Sequence, residues 1–154
     1  DQLKEYAKTH DVDVTQHAGR GRLIDAILKS IRKTLVQPCF LINPPVDVEP
    51  LAKRLKPGSN KVARFQAVAA GTELGKGFSE LNDPIDQRAR FEEQMKLREA
   101  GDKEAQQIDE DFIEALEYGM PPTAGFGVSE RLFAVLLDKP LRETVFFPTL
   151  RPKK

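Results

Sequence analysis

Three side chains of complementary chemistry recur at every second position of one short segment: Lys76, Phe78 and Glu80. On a regular strand alternate side chains share a face, so these three form a wall with a ring at its middle and a carboxylate at its end. Spacing alone leaves two readings open, a binding wall or a partly buried strand whose charges reach solvent. Glu73 has the opposite parity and faces elsewhere unless the strand bulges, which Gly75 and Gly77 would tolerate. A hairpin tip at Ala69 and Ala70 sets Gln66 across from Glu73, on strands ~4.8 Å apart. Downstream, Arg131 follows Gly125, Phe126, Gly127, Val128, Ser129 and Glu130. With Ser129 as N-cap, Arg131 stands in a first helical turn beside unpaired backbone N–H groups, where it faces any anion bound there. Its alternative is a surface arginine paired with Glu130 or Asp138.

Other motifs fall away. Gly71 to Lys76 imitates a phosphate loop, but the spacing is one residue short and no Ser or Thr follows the lysine. Gly125 and Gly127 lack the third glycine of a dinucleotide fold. His10 and His17 have no acidic or cysteine neighbour that would make a metal site, and Cys39 has no sequence support as a nucleophile.

The elements that must position these residues are legible from periodicity and punctuation. The first eleven residues predict a helix with Leu3, Tyr6 and Ala7 on one stripe. From Arg22 to Val36 the apolar residues Leu23, Ile24, Ile27, Leu28, Ile31 and Leu35 predict a second, stopped by Pro38. Cys39 to Ile42 reads as a buried strand, and Pro50 to Asn60 as an exposed loop. Ala63 to Ala70 and Thr72 to Leu81 predict a hairpin folded at Ala70 and Gly71. Asp83 and Pro84 open a charged helix to Ala100, expected to be a solvated surface. Asp109 opens another, with Phe112, Ile113 and Leu116, closed by Gly119 and Pro121. A glycine-rich strand, a helix from about Ser129 to Leu137 and the run Val145 to Phe147 finish the chain. Hairpin strands with helices gathered after them predict an α+β fold with an antiparallel sheet flanked by helices.

The 154 residues fit one domain or a large piece of one. Hydrophobic residues at 40% and charged residues at 31% exclude a disordered chain. Lys+Arg and Asp+Glu both total 24, so no basic excess announces nucleic acid. No apolar run approaches the ~20 residues that cross a bilayer, and no export signal opens the chain. One cysteine in an apolar run points to a reducing compartment, and a first residue of Asp to a piece cut from something longer. A cytoplasmic fragment is the plain expectation.

The segments from Thr72 to Pro84 and from Pro121 to Arg131 together resemble the C-terminal half of the catalytic domain of class II lysyl-tRNA synthetases, the second segment matching that class's third signature motif. The likeness runs from about Arg20 to the end and is most specific over Phe78 to Gln87, Ile108 to Gly125 and Phe147 to Pro152. It implies that residues 1–154 are one part of such a domain, without its first two motifs or the anticodon-binding domain. The implied reaction activates L-lysine with ATP and Mg2+ and transfers it to tRNA(Lys), in an enzyme that is a homodimer at full length. The residues matching Phe78 and Glu80 line the amino-acid pocket, the ring along the methylene stem and the carboxylate on the ammonium. Lys76 stands where asparagine is usual, so it would salt-bridge the substrate carboxylate or point away. Glu73 and Gln66 match two acidic residues that share a magnesium bridging ATP phosphates. An amide adds no charge, so a weaker metal site is expected. Arg131 matches the arginine that contacts the terminal phosphate and covers the adenine, with Gly127 beside the nucleotide. The motif is one residue short here and has serine at its third glycine. The fragment alone is expected to be inactive. The alternatives are a paralogue that lysylates a translation factor and a non-catalytic binding module.

Overall fold

Two residues with left-handed backbone turn the chain at the centre of the fold. Ala70 and Gly71 have φ of 50° and 71°, and they join the antiparallel strands β2 (Arg64–Ala69) and β3 (Thr72–Ser79). Consecutive positive φ values make the tight turn whose twist matches the flanking strands. In this computed structural model, which describes residues 2–13, 19–102 and 105–148, the hairpin forms the middle of a four-stranded antiparallel sheet. The other strands are β1 (Cys39–Ile42) beside β2 and β4 (Ala124–Val128) beside β3.

Register decides what the site face carries. Gln66 pairs with Lys76, Arg64 with Phe78, and Val68 with Glu73. The tip lies one residue beyond Ala69 and Ala70, so Gln66 is not directly opposite Glu73, as that earlier tip requires. Pairing jumps from Val68–Glu73 to Ala67–Gly75, which leaves Leu74 as an extra residue on β3. That bulge reverses the parity of β3 and turns Glu73 onto the face of Lys76 and Phe78.

Helices α1 (Gln2–Thr9) and α2 (Arg20–Arg32) pack through Ala7, Leu23 and Ile27, with Leu3, Val12 and Ile31 around them. Helix α3 (Pro84–Glu99) starts where Asp83 accepts from the backbone N–H groups of Ile85 and Asp86. It is not the solvated surface expected of its charge, because it buries Gln87, Arg90 and Phe91. Arg90 donates to the carbonyls of Pro50 and Ala52 and to both oxygens of Asp86, so charge here binds the loop to the helix. Phe91 meets Phe112 of α4 (Glu110–Glu117) at 6.1 Å, and Ile113 is fully buried. Helix α5 (Arg131–Leu137) is short and ends at Asp138 with φ of 50°.

Two further expectations are corrected. β1 is an edge strand rather than a buried one, with Phe40 and Ile42 about two-thirds exposed on the face opposite the site. Across that face Phe40 meets Phe65 edge-on and Phe65 stacks on Phe126. Val145 to Phe147 is irregular, with Phe146 and Phe147 exposed. The proline-rich loop is partly structured, since Ala52 is buried and bridges to Glu80. Among the described residues no helix is long and apolar enough to cross a membrane.

Candidate active site

The site is built on the face of β2 and β3 that the bulge completes. Helix α2 presents to it a polar stripe, Arg22, Asp25, Lys29 and Arg32, opposite its apolar Leu23, Ile27 and Ile31. A cavity of about 410 Å3 lies between that stripe, the 47–50 turn and the sheet. Gln66, Glu73, Lys76 and Arg131 all line it. Four expected site residues therefore share one space, although they come from three separate segments. Phe78 and Glu80 continue the β3 face past Lys76 and are not among the cavity's lining residues, nor is Gly127.

Each charged group has a definite environment. Glu73 accepts from the Nε2–H of Gln66 and from Arg32 Nη1 at 3.3 Å. Lys76 Nζ donates to Glu49 Oε2 at 3.0 Å and lies 6.0 Å from the centre of the Phe78 ring, at the limit of a cation–π contact. Arg64 Nε is 3.3 Å from the same Glu49 oxygen, near enough for charge attraction though without hydrogen-bond geometry. Of the two positions open to it, Lys76 thus takes an ion pair within the protein.

Glu80 sits where β4 has no side chain to meet it. Gly125 pairs with Phe78, and a methyl group placed on Gly125 would lie 2.7 Å from Glu80 Oε1. Burial raises the affinity of the Glu80 carboxyl for its proton, and the nearby charge of Glu49 adds to this. A cation brought to the Glu80 carboxylate would offset the repulsion from Glu49 and give the partly buried charge a counter-ion.

Arg131 opens α5, its backbone N–H donating to Ser129 Oγ at 3.3 Å. Helix capping begins at Glu130, one residue later than Ser129. The Arg131 side chain is exposed and forms no ion pair with Glu130 or Asp138. α5 has seven residues, so the side chain rather than a long helix dipole is what reaches the cavity.

Arg32 and Glu49 were not anticipated from sequence. They stand 41 and 27 residues from their partners on β3. The available signal was the polar stripe of α2, too regular for an indifferent surface. His10 is exposed and stacks on Tyr6, Cys39 is a free thiol, and His17 lies outside the described residues, as does the 149–154 end of the resemblance.

The pair Glu73 and Gln66 does not fit a resident divalent cation. Among the described residues no three His, Cys, Asp or Glu side chains gather as a metal-binding group. Glu73 already has a guanidinium as its counter-charge, and Gln66 presents an N–H rather than an oxygen.

The chain belongs to the class II tRNA synthetases (D, K and N), whose family model matches residues 4–151. Its relatives within that family are lysine–tRNA ligases. The one from Moorella thermoacetica is 51% identical over 138 residues, covering 88% of this chain and 28% of the relative. Those from Listeria monocytogenes and Bacillus subtilis are 46% and 45% identical, over 98% and 99% of this chain and 31% of each relative. The chain thus spans about three-tenths of the length of the curated relatives it matches.

Proposed function

We propose that this chain is the C-terminal part of the catalytic domain of a lysine–tRNA ligase and supplies the part of the site that reads the lysine side chain. The observation that carries this reading is Glu80, a carboxyl pushed toward its neutral form, on the same strand face as Phe78 and against the bare backbone of Gly125. A lysine ammonium is a compact cation that needs a counter-charge when desolvated, and its stem needs apolar cover. Glu80 and Phe78 supply the two. Arg131 is proposed to contact ATP phosphate and adenine, with Gly127 leaving the floor of β4 free of side chains.

In the reaction so assigned, the lysine carboxylate attacks the α-phosphate of ATP and pyrophosphate leaves, giving lysyl-adenylate; the 3′-terminal hydroxyl of tRNA(Lys) then takes the aminoacyl group and AMP leaves. No protein nucleophile is needed; positioning and charge neutralisation lower the barrier. The resemblance brings Mg2+ with ATP to this reading, but Glu73 and Gln66 do not fit the ion, and a cytoplasmic homodimer is its setting. A second reading, a non-catalytic segment, draws support from the ion pairs that engage Lys76 and Glu73 within the protein.

Replacing the matching segment of the Bacillus subtilis enzyme with this chain tests the reading. Lysine-dependent pyrophosphate exchange by the chimera supports it. A folded chimera that binds ATP but shows no lysine binding contradicts it.

A further inference from the structure

The charges around the cavity pair off with one exception. Asp25 holds Lys29 at 2.7 Å, Asp102 holds Arg22 at 2.8 Å, Asp47 holds Arg20, Glu49 holds Lys76, and Glu73 holds Arg32. Among the described residues Arg131 is left without an ionic partner. Among the described residues the wall carries six basic and five acidic side chains, a positive balance.

The position of Arg32 gives this balance its meaning. It reaches from the last turn of α2 to Glu73, and the guanidinium and Glu73 are both about three-quarters buried. Gln66, which is buried, directs its amide N–H at the same carboxylate. A magnesium ion demands several oxygen ligands at ~2.0–2.1 Å in a near-octahedral arrangement. Here it would meet one carboxylate already neutralised, an amide N–H and a fixed positive charge. A guanidinium, by contrast, presents a planar fork that matches phosphate oxygens.

We infer that Arg32 supplies at Glu73 the positive charge a divalent cation would otherwise bring, so that this cavity excludes the metal and holds the polyphosphate of a nucleoside triphosphate metal-free, between the guanidinium groups of Arg32 and Arg131. The nucleotide part rests on Arg131 being the ATP contact proposed above, while the exclusion of metal rests on Arg32, Glu73 and Gln66. Glu73 then orients Arg32 and is a positioning residue. The volume of about 410 Å3 is within the range of small-ligand pockets.

Two measurements on this chain test it. Manganese titrated into the protein and followed by electron paramagnetic resonance should stay free up to ~1 mM, a range in which weak protein sites for hard cations begin to fill. Arg32→Glu should capture manganese at a concentration at least tenfold lower, and adding Glu73→Gln should abolish that capture. Calorimetry with ATP in chelator should show binding that added Mg2+ does not improve, weakened at least tenfold by Arg32→Gln and less by Arg32→Lys. Thermal melts confirm that each variant is folded. Manganese binding by the unaltered chain that Glu73→Gln removes would overturn the inference. ATP binding that disappears in chelator and ignores Arg32→Gln would also overturn it, while leaving the nucleotide site standing. No ATP binding in either buffer would overturn both.

Discussion

Burial and the charge of Glu49 raise the pKa of Glu80, while hydrogen bonding to Arg90 leads the causes that lower that of Asp86, and the two shifts fix the sign of two pH effects. The Glu80 carboxyl in the folded chain titrates above the ordinary value of 4.5, because of burial first and Glu49 second. Ionising it therefore costs folding stability as pH rises through that raised value, and Glu80→Gln should remove the loss. Asp86 behaves oppositely. Hydrogen bonding to Arg90 leads the causes that hold it below 3.8, so its contribution is present above that value and is lost as pH falls through the lower folded one. Urea melts of the parent, Glu80→Gln and Asp86→Asn from pH 3 to 7 should show these opposite slopes; parallel curves would contradict the assignment. Gly125→Ala is a second expected outcome at this scale. The new methyl group displaces the Glu80 carboxylate, so lysine affinity in the complete enzyme should fall roughly three- to tenfold with the thermal midpoint nearly unchanged. Unaltered lysine affinity would mean that Gly125 leaves Glu80 free to adjust.

At the scale of elements, the sheet face exists because the hairpin turns and bulges where it does. Gly71→Ala places a side chain on left-handed backbone and 2.9 Å from the Lys33 carbonyl, and should cost at least ~1–2 kcal/mol in denaturant melts. Arg90→Ala should cost about 3 kcal/mol, since it removes this donor from two carbonyls and leaves Asp86 with Arg54 as its remaining cationic partner among the described residues. Loss below 1 kcal/mol would mean the loop is held by Ala52 and its neighbours alone. The hairpin tip and the caps at Asp83 and Asp109 were legible in the sequence, because turn and cap chemistry is local. The bulge at Leu74 was only permitted by Gly75 and Gly77, since its place depends on how β2 aligns. β1 was misread as buried because an apolar run of four carries no mark of edge or centre. Arg32 and Glu49 were hidden for a related reason: an ion pair across tens of residues leaves no spacing to read.

For the whole molecule, the chain belongs to the class II tRNA synthetases and spans about three-tenths of the length of the curated relatives it matches. Under the proposed function this chain brings Glu80 as the ammonium partner and Arg32 and Arg131 as phosphate contacts. Losing even one positioned donor can lower a rate by ~10²–10³, so the 154-residue chain alone should give no lysine-dependent pyrophosphate exchange above a blank. Steady exchange by the pure chain would show that its own residues complete a site. The central claim is that Glu80 reads the charge of the lysine side chain. Calorimetry of lysine and norleucine with the Bacillus subtilis chimera, before and after Glu80→Gln, tests it most directly. A buried cation deprived of its counter-charge loses ~2–5 kcal/mol, so lysine should bind well over tenfold more weakly to the variant, with norleucine and ATP little changed. A preference for lysine over norleucine that survives the substitution would contradict the claim.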